Sequence, residues 1–134
     1  MSKIKIIACS GIGKAPGLIA REAVIQATRS LPESTERFCL GRVVTGDADV
    51  VAAVKGQPCL ILDGCAKCCA LKSTEACGGT VCASHRVIDR MREHRGEDHG
   101  TPRMLSDEGF AFVQEWAAVL EGDVARILEK EGEA

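Results

Sequence analysis

The middle of the chain reads Gln57-Pro58-Cys59-Leu60-Ile61-Leu62-Asp63-Gly64-Cys65-Ala66-Lys67-Cys68-Cys69. Its first half is an almost continuous apolar run, which predicts a central strand of a parallel sheet that is covered on both faces. Three closely spaced thiols follow, where this strand ends and a helix would begin. We therefore expect an α/β fold with a cysteine-rich site at one end of a buried strand.

Toward the N-terminus, two further predicted strands end in cysteine. Lys3–Ala8 runs into Cys9, and a short strand around Arg37–Leu40 contains Cys39. Between them Pro16 opens a helix whose apolar residues recur every four positions as far as Leu31. Alternating strands and helices predict one α/β domain with a three-layer, Rossmann-like parallel sheet of about four strands and flanking helices.

The remaining elements are predicted from weaker patterns. We expect a small helix at Ala48–Val54 after a loop at Gly41–Gly46, and a helix at Ala66–Ala76. A fourth strand is expected at His85–Met91, followed by a charged loop at Arg92–Arg103.

A final amphipathic helix is expected over about residues 106–130, with Ser106 as its cap and Gly122 as a position where it could kink or divide. Its apolar residues predict a buried stripe of Phe110, Val113, Trp116, Ala117, Leu120, Val124, Ile127 and Leu128.

Length and charge restrict the classes of function. The 134 residues fit a single domain over residues 1–134, and a net charge of -2 with 3% aromatic residues argues against nucleic acid as a partner. We expect no membrane partner and a cytoplasmic location, because we find neither a signal sequence nor a spanning apolar stretch. In a reducing compartment, the 8 cysteines are metal ligands or redox groups more often than disulfides.

Four of these cysteines are predicted to share one site. The carboxyl ends of parallel strands meet at one edge of a sheet, which would bring Cys9, Cys39 and Cys65 together. If Ala66 begins a helix, Cys65 and Cys69 lie about one turn apart on the same face. Four thiolates are a ligand set for zinc and also for an iron–sulfur cluster, and the spacing does not separate the two.

The three strand ends also carry a family resemblance. Ala8-Cys9-Ser10-Gly11, Cys39-Leu40-Gly41 and Asp63-Gly64-Cys65 with Cys69 resemble the motifs of the DGC-domain family, which is regarded as zinc-binding. The resemblance covers a motif region of about residues 3–91. It implies Cys9, Cys39, Cys65 and Cys69 as metal ligands, with zinc as the metal and no established biological role. Ala66 stands where the family usually has proline.

Other roles compete for the same residues. Cys65 and Cys68 form a Cys-x-x-Cys pair that could act in thiol redox or sulfur-transfer chemistry. Cys77 and Cys82 could join Cys68 in a second metal site or could simply pack. The whole set could also be buried thiols without metal.

For several other residues, the sequence indicates a function only weakly. Cys59 is expected in the core, and Asp63 is expected to shape the turn rather than to catalyse. The loop Cys9–Gly17 could cradle an anion, with Lys14 adding charge. His85 lacks a recognisable ligand spacing, and His94 and His99 are expected to be solvated.

We thus predict a metal-binding protein that holds zinc by four thiolates at the carboxyl edge of a parallel sheet. The alternative is an iron–sulfur or thiol redox protein that uses the same cysteines. Whether the protein is an enzyme stays open, because no acid–base pair is recognisable near the thiols. The C-terminal helix could also pair with a partner or a second copy.

Overall fold

A computed structural model describes residues 3–9, 15–38, 40–64, 66–101 and 103–133. The first half of the chain forms β1 (Ile4–Ala8), α1 (Ala15–Ser30), β2 (Thr35–Phe38), α2 (Leu40–Val44) and α3 (Ala48–Val54). The second half forms β3 (Pro58–Asp63), α4 (Cys69–Ala76), β4 (Thr80–Arg86), a 3₁₀ helix (Val87–His94) and α5 (Asp107–Glu133). The predicted alternation of strands and helices is confirmed.

The four strands form one parallel sheet in the order β2-β1-β3-β4. Ile7 pairs with Phe38 on one side, and Ala8 pairs with Leu62 on the other. The order reverses between β1 and β3, because the chain moves outward to β2 and then returns to the other side of β1. In such sheets the crevice at the carboxyl ends of the two strands that flank the reversal is the usual place for a site.

Helices cover both faces of the sheet, as the Rossmann-like prediction requires. Ile4, Ile6, Leu60 and Leu62 pack against α1 and α5. Ile7 and Ile61 face the other way and pack against α2, α3 and α4. Successive residues of β1 and β3 therefore enter two separate cores, which explains why both strands are apolar at nearly every position.

Several predicted boundaries are wrong. β2 ends at Phe38, and the predicted loop Gly41–Gly46 is largely the helix α2. The fourth strand is Thr80–Arg86, so the predicted strand His85–Met91 is mostly 3₁₀ helix. β4 is an edge strand whose pairing with β3 shifts between Cys59 and Leu60, and this irregularity breaks the alternation that would have identified it.

The long final helix is confirmed, and it begins where the cap was expected. The Ser106 hydroxyl accepts a hydrogen bond from the Gly109 N–H at 3.1 Å. Gly122 does not divide α5, which runs through it without a break. Phe110 was wrongly placed in the buried stripe: its side chain is exposed, and Phe112 is buried instead.

Candidate functional site at the carboxyl edge of the sheet

The carboxyl ends of β1 and β3 meet beside the N-terminus of α1. Cys9 directly follows β1, and its N–H donates to the Leu62 carbonyl at 3.3 Å. Its half-buried thiol lies 3.9 Å from the Gly17 carbonyl oxygen. Cys9 is therefore fixed between the last residues of β3 and the first turn of α1.

Gly64 makes this junction tight. A β-carbon at Gly64 would lie 2.7 Å from both Cα and N of Gly17, and 2.9 Å from the carbonyl carbon of Pro16. Because these are backbone atoms, no side-chain rotation could relieve the clash. The glycine of the Asp63-Gly64-Cys65 tripeptide thus lets β3 end directly against α1.

Asp63 organises the other side of the junction. Its carboxylate accepts hydrogen bonds from the N–H groups of Ala70 at 2.8 Å and Leu71 at 3.2 Å, in the first turn of α4. Burial raises the pKa of Asp63, and these two hydrogen bonds offset part of that rise. Asp63 therefore ties the end of β3 to the start of α4, a more specific role than the predicted shaping of a turn.

The start of α4 differs from the prediction. Ala66 and Lys67 form a turn, and Cys68 adopts a left-handed backbone conformation with φ of 53° directly before the helix begins at Cys69. The prediction that Ala66 begins the helix is wrong. The argument that placed Cys65 and Cys69 one turn apart on a helix face therefore does not apply.

Two of the four predicted ligands, Cys39 and Cys65, lie outside the described residues, as does most of the predicted anion loop with Lys14. Their neighbours Phe38 and Gly64 stand at the ends of β2 and β3, on the same edge as Cys9. Cys69 opens α4 at this edge and is exposed. The described residues Cys9 and Cys69, and the described neighbours of Cys39 and Cys65, thus lie toward one edge of the sheet.

Arg86 is a cation at this edge that the sequence reasoning missed. It ends β4 and binds Asp89 through two hydrogen bonds, at 2.8 and 3.1 Å. The Asp89 carboxylate raises the pKa of Arg86, and the Cys68 side chain contributes to the same rise. A guanidinium therefore lies beside one of the edge thiols.

The other cysteines lie away from this edge. Cys59 is fully buried in the core as predicted, and burial raises the pKa of its thiol to about 11. Cys77 directly follows α4, and a helical rise of about 1.5 Å per residue places it about 13.5 Å from Cys68 along the helix. Among the described residues, no cysteine belongs to a cluster able to hold a metal ion. The suggested second site of Cys68, Cys77 and Cys82 is therefore wrong.

The histidines are also not as predicted. His99 is only 6% exposed and is therefore not solvated, and His94 is half-buried, with 20% of its side chain exposed. His85 binds the buried Asp123 at 2.6 Å on the wall of a cavity of about 550 Å³ that Cys82 and Arg126 also line. The charged residues around His94 and His99 concealed their burial, because the segment lacks the apolar periodicity that signals a packed element.

A sequence match to the DGC domain covers residues 5–110, well over half of the chain. The chain belongs to the DGC-domain family. The match extends beyond the expected motif region of residues 3–91 and includes His94 and His99. Comparison with curated proteins and with solved structures gives no match. Membership of the DGC-domain family supports metal binding as the class of function.

Among the described residues of this DGC-domain protein, the helices are all too short or too polar to cross a lipid bilayer. Its longest helix, α5, uses most of its apolar stripe against α1 and the sheet of the same chain. Pairing of this helix with a second copy stays a prediction.

Proposed function

We propose that the protein binds a zinc ion at the carboxyl edge of its sheet through the thiolates of Cys9, Cys39, Cys65 and Cys69. The observation that carries the proposal is the tight junction of β1, β3 and α1. This junction fixes Cys9 in place and brings the chain on either side of Cys65 to the same edge. Asp63 holds the start of α4 at this junction by accepting the Ala70 N–H, and Cys69 is the first residue of that helix.

The donor chemistry fits this proposal. Four thiolates form the closed tetrahedral set of structural zinc sites, with Zn–S distances of about 2.3 Å. Such a set leaves no open position for a water nucleophile, which favours a structural, storage or transfer role over hydrolysis.

The surroundings can balance the charge of such a site. Zinc with four thiolates carries a net charge of about -2, which is costly at a partly buried edge. The N-terminus of α4 directs its partial positive charge to this edge, and the Arg86 guanidinium lies beside Cys68. Both groups would stabilise the anionic complex.

Cys68 is the strongest competitor for the fourth ligand position. It is half-buried whereas Cys69 is exposed, and its left-handed backbone sets it apart from the helix that follows. The test must therefore separate these two neighbours.

Metal analysis of reduced protein purified without added zinc tests the proposal. We expect Cys9→Ser, Cys39→Ser, Cys65→Ser and Cys69→Ser each to hold about one zinc per chain fewer than the wild type, and Cys68→Ser to hold as much as the wild type. Cys82→Ser is the matched control, because Cys82 is exposed on β4 and outside the proposed set. Metal-free wild-type protein with intact thiols would overturn the proposal, and loss of zinc in Cys68→Ser with retention in Cys69→Ser would reassign the fourth ligand.

The second candidate is an iron–sulfur or thiol redox function for the same cysteines. It is favoured by Cys68, which is half-buried, adopts a left-handed backbone before α4 and forms a Cys-x-x-Cys pair with Cys65. Anaerobic purification separates the candidates: brown protein with visible absorption indicates a cluster, whereas colourless zinc-loaded protein excludes it. For a redox dithiol, we expect metal-free protein to alkylate at Cys68 faster than at Cys82, although Cys82 is the more exposed of the two thiols.

A further inference from the structure

A second group of metal-ligating side chains lies away from the thiol edge. One ring nitrogen each from His94 and His99 and a carboxylate oxygen of Glu97 lie within 4.8 Å of one another. The three residues are close in sequence, where the end of the 3₁₀ helix turns back toward α5. Two imidazoles and one carboxylate are a familiar ligand set for zinc and for ferrous iron.

His99 gives the clearest indication of a missing ligand. The residue is 94% buried, by its 6% exposure, yet its Nε2 atom makes no hydrogen bond. A Glu97 carboxylate oxygen lies 3.5 Å from this Nε2 atom. Two ligands about 2.1 Å from a tetrahedral zinc ion lie roughly 3.4 Å apart, so this spacing suits two ligands of one ion.

His94 is held by two carboxylates. Its Nδ1 atom contacts Glu97, and its Nε2 atom lies 2.8 Å from the Glu115 carboxylate on α5. Glu115 is fixed in turn by Arg90 at 2.9 Å. When Nε2 donates its proton to Glu115, the Nδ1 lone pair faces Glu97 and His99, and this carboxylate–histidine arrangement commonly orients a metal ligand.

Packing fixes the two rings before any ion arrives. Both lie against the buried Phe112 ring, with centroid distances of 4.3 Å for His94 and 5.1 Å for His99. The backbone of His99 is tied to α5, because its carbonyl accepts the Ser106 N–H at 3.0 Å. Such preorganisation lowers the entropy cost of binding.

We propose that His94, Glu97 and His99 form a second, thiol-free site for a divalent zinc or iron ion, with Glu115 as the positioning residue for His94. Three protein ligands leave at least one coordination position open for water or a small anion, unlike the closed set of four thiolates. A neighbouring group of Glu93, His94 and Glu115 is less suited, because it has one imidazole and its His94 nitrogen is already bonded to Glu115.

The three histidines of the chain make a direct test possible. In protein labelled with ¹⁵N-histidine, each ring nitrogen can be followed by NMR during titration with Zn²⁺. We expect the signals of His94 Nδ1 and His99 Nε2 to shift to metal-bound values, while His85, bound to Asp123, serves as the internal control. Absence of a shift at His94 and His99, or an equal shift at His85, would overturn the proposal.

Variants separate ligation from folding. Glu97→Gln removes a surface ligand and should lower the affinity of this site at least 10-fold, and Glu115→Gln should lower it by roughly 10–100-fold through the orientation of His94. Glu129→Gln, on an exposed part of α5, is the matched control and should bind like the wild type. Unchanged affinity in Glu97→Gln would overturn the proposal.

The proposals for the thiol site and for the histidine site can be contradicted independently. The histidine response should persist in Cys9→Ser, which removes a proposed thiol ligand. Titration with Co²⁺ gives the same separation, because thiolate ligation produces intense near-ultraviolet charge-transfer bands that nitrogen and oxygen ligands do not. Loss of those bands alone would speak against the thiol site, and loss of the histidine shifts alone would speak against this one.

Discussion

Asp63 illustrates how one side chain can build an edge of the sheet. It is 1% exposed and accepts two N–H groups of α4, so Asp63→Ala leaves one buried and one partly buried donor without that partner. We expect a loss of about 1–3 kcal/mol in the free energy of unfolding, measured by urea denaturation. Asp49→Ala, at an exposed position in the first turn of α3, should change it by less than about 0.5 kcal/mol. Equal losses in the two variants would contradict the role of Asp63.

The same residue predicts a pH dependence. Its pKa is raised above the ordinary value of 3.8, so the folded state takes up a proton before the unfolded state does as the pH falls. Stability from Asp63 is therefore largest at acid pH and decreases as the pH rises through the raised pKa. The stability advantage of wild type over Asp63→Asn should narrow between acid and neutral pH, and an advantage that widens would contradict the direction of the shift.

Cys59 should be chemically inert. Burial first, and then the neighbouring Cys82, raises the pKa of its thiol to about 11, and the thiolate is the reactive form. In metal-free reduced protein at neutral pH, iodoacetamide should modify the exposed Cys82 rapidly and Cys59 only after unfolding, as measured by mass spectrometry. Modification of both at one rate in the folded protein would contradict this expectation.

At the scale of elements, the junction between β3 and α1 depends on the absence of a side chain. Gly64→Ala places a methyl group among the backbone atoms of Pro16 and Gly17 and should lower stability by about 1–3 kcal/mol. Zinc affinity should fall with it, because the end of β3 and the start of α1, which hold Cys9 between them, must separate. Gly122→Ala on α5 is an informative contrast, because a β-carbon at this position would have no atom within 4 Å. Since alanine favours a helix more than glycine does, this substitution should raise the free energy of unfolding by up to about 1 kcal/mol. Similar effects of the two substitutions on thermal unfolding would contradict this account.

Elements with strong periodicity were predictable, and those set by tertiary contacts were not. β1, α1, β3 and α5 were identified because burial imposes a regular pattern on their sequences. The start of α4 was misplaced because Asp63, outside the helix, holds its first N–H groups. His99 is buried by Phe112, a contact between two segments that no local pattern reveals.

The candidate thiol site was predictable only in outline. Cysteines follow the apolar runs that predict strands, and the carboxyl ends of parallel strands lie at one edge of the sheet. The sequence therefore predicted at which edge the cysteines would lie. Arg86 was missed because it lies on β4, whose boundaries were wrong. The role of Cys68 was predicted only from its spacing to Cys65. Its left-handed backbone, which sets it apart from the other described cysteines, depends on how the turn before α4 joins the helix.

At the scale of the molecule, metal should couple to global stability. A ligand that binds only the folded state adds about 4 kcal/mol when its free concentration is 1,000 times Kd. Chelation under reducing conditions should therefore lower the unfolding temperature, followed through the fluorescence of the single tryptophan, Trp116, which is buried. Cys9→Ser should respond less to the chelator than the wild type, whereas Cys82→Ser should respond like the wild type. Equal responses would argue against a structural thiol site.

The two-sided covering of the sheet has a consequence for synthesis of the chain. The four proposed thiol ligands, the last of them Cys69, precede α5 in the chain and emerge from the ribosome before it. Until α5 docks, part of the apolar face formed by Ile4, Ile6, Leu60 and Leu62 has no cover. The nascent chain thus passes through a stage in which its proposed metal-binding segments have been made while one apolar face of the sheet is exposed. An exposed apolar face promotes aggregation, so we expect chaperones to matter most during this stage.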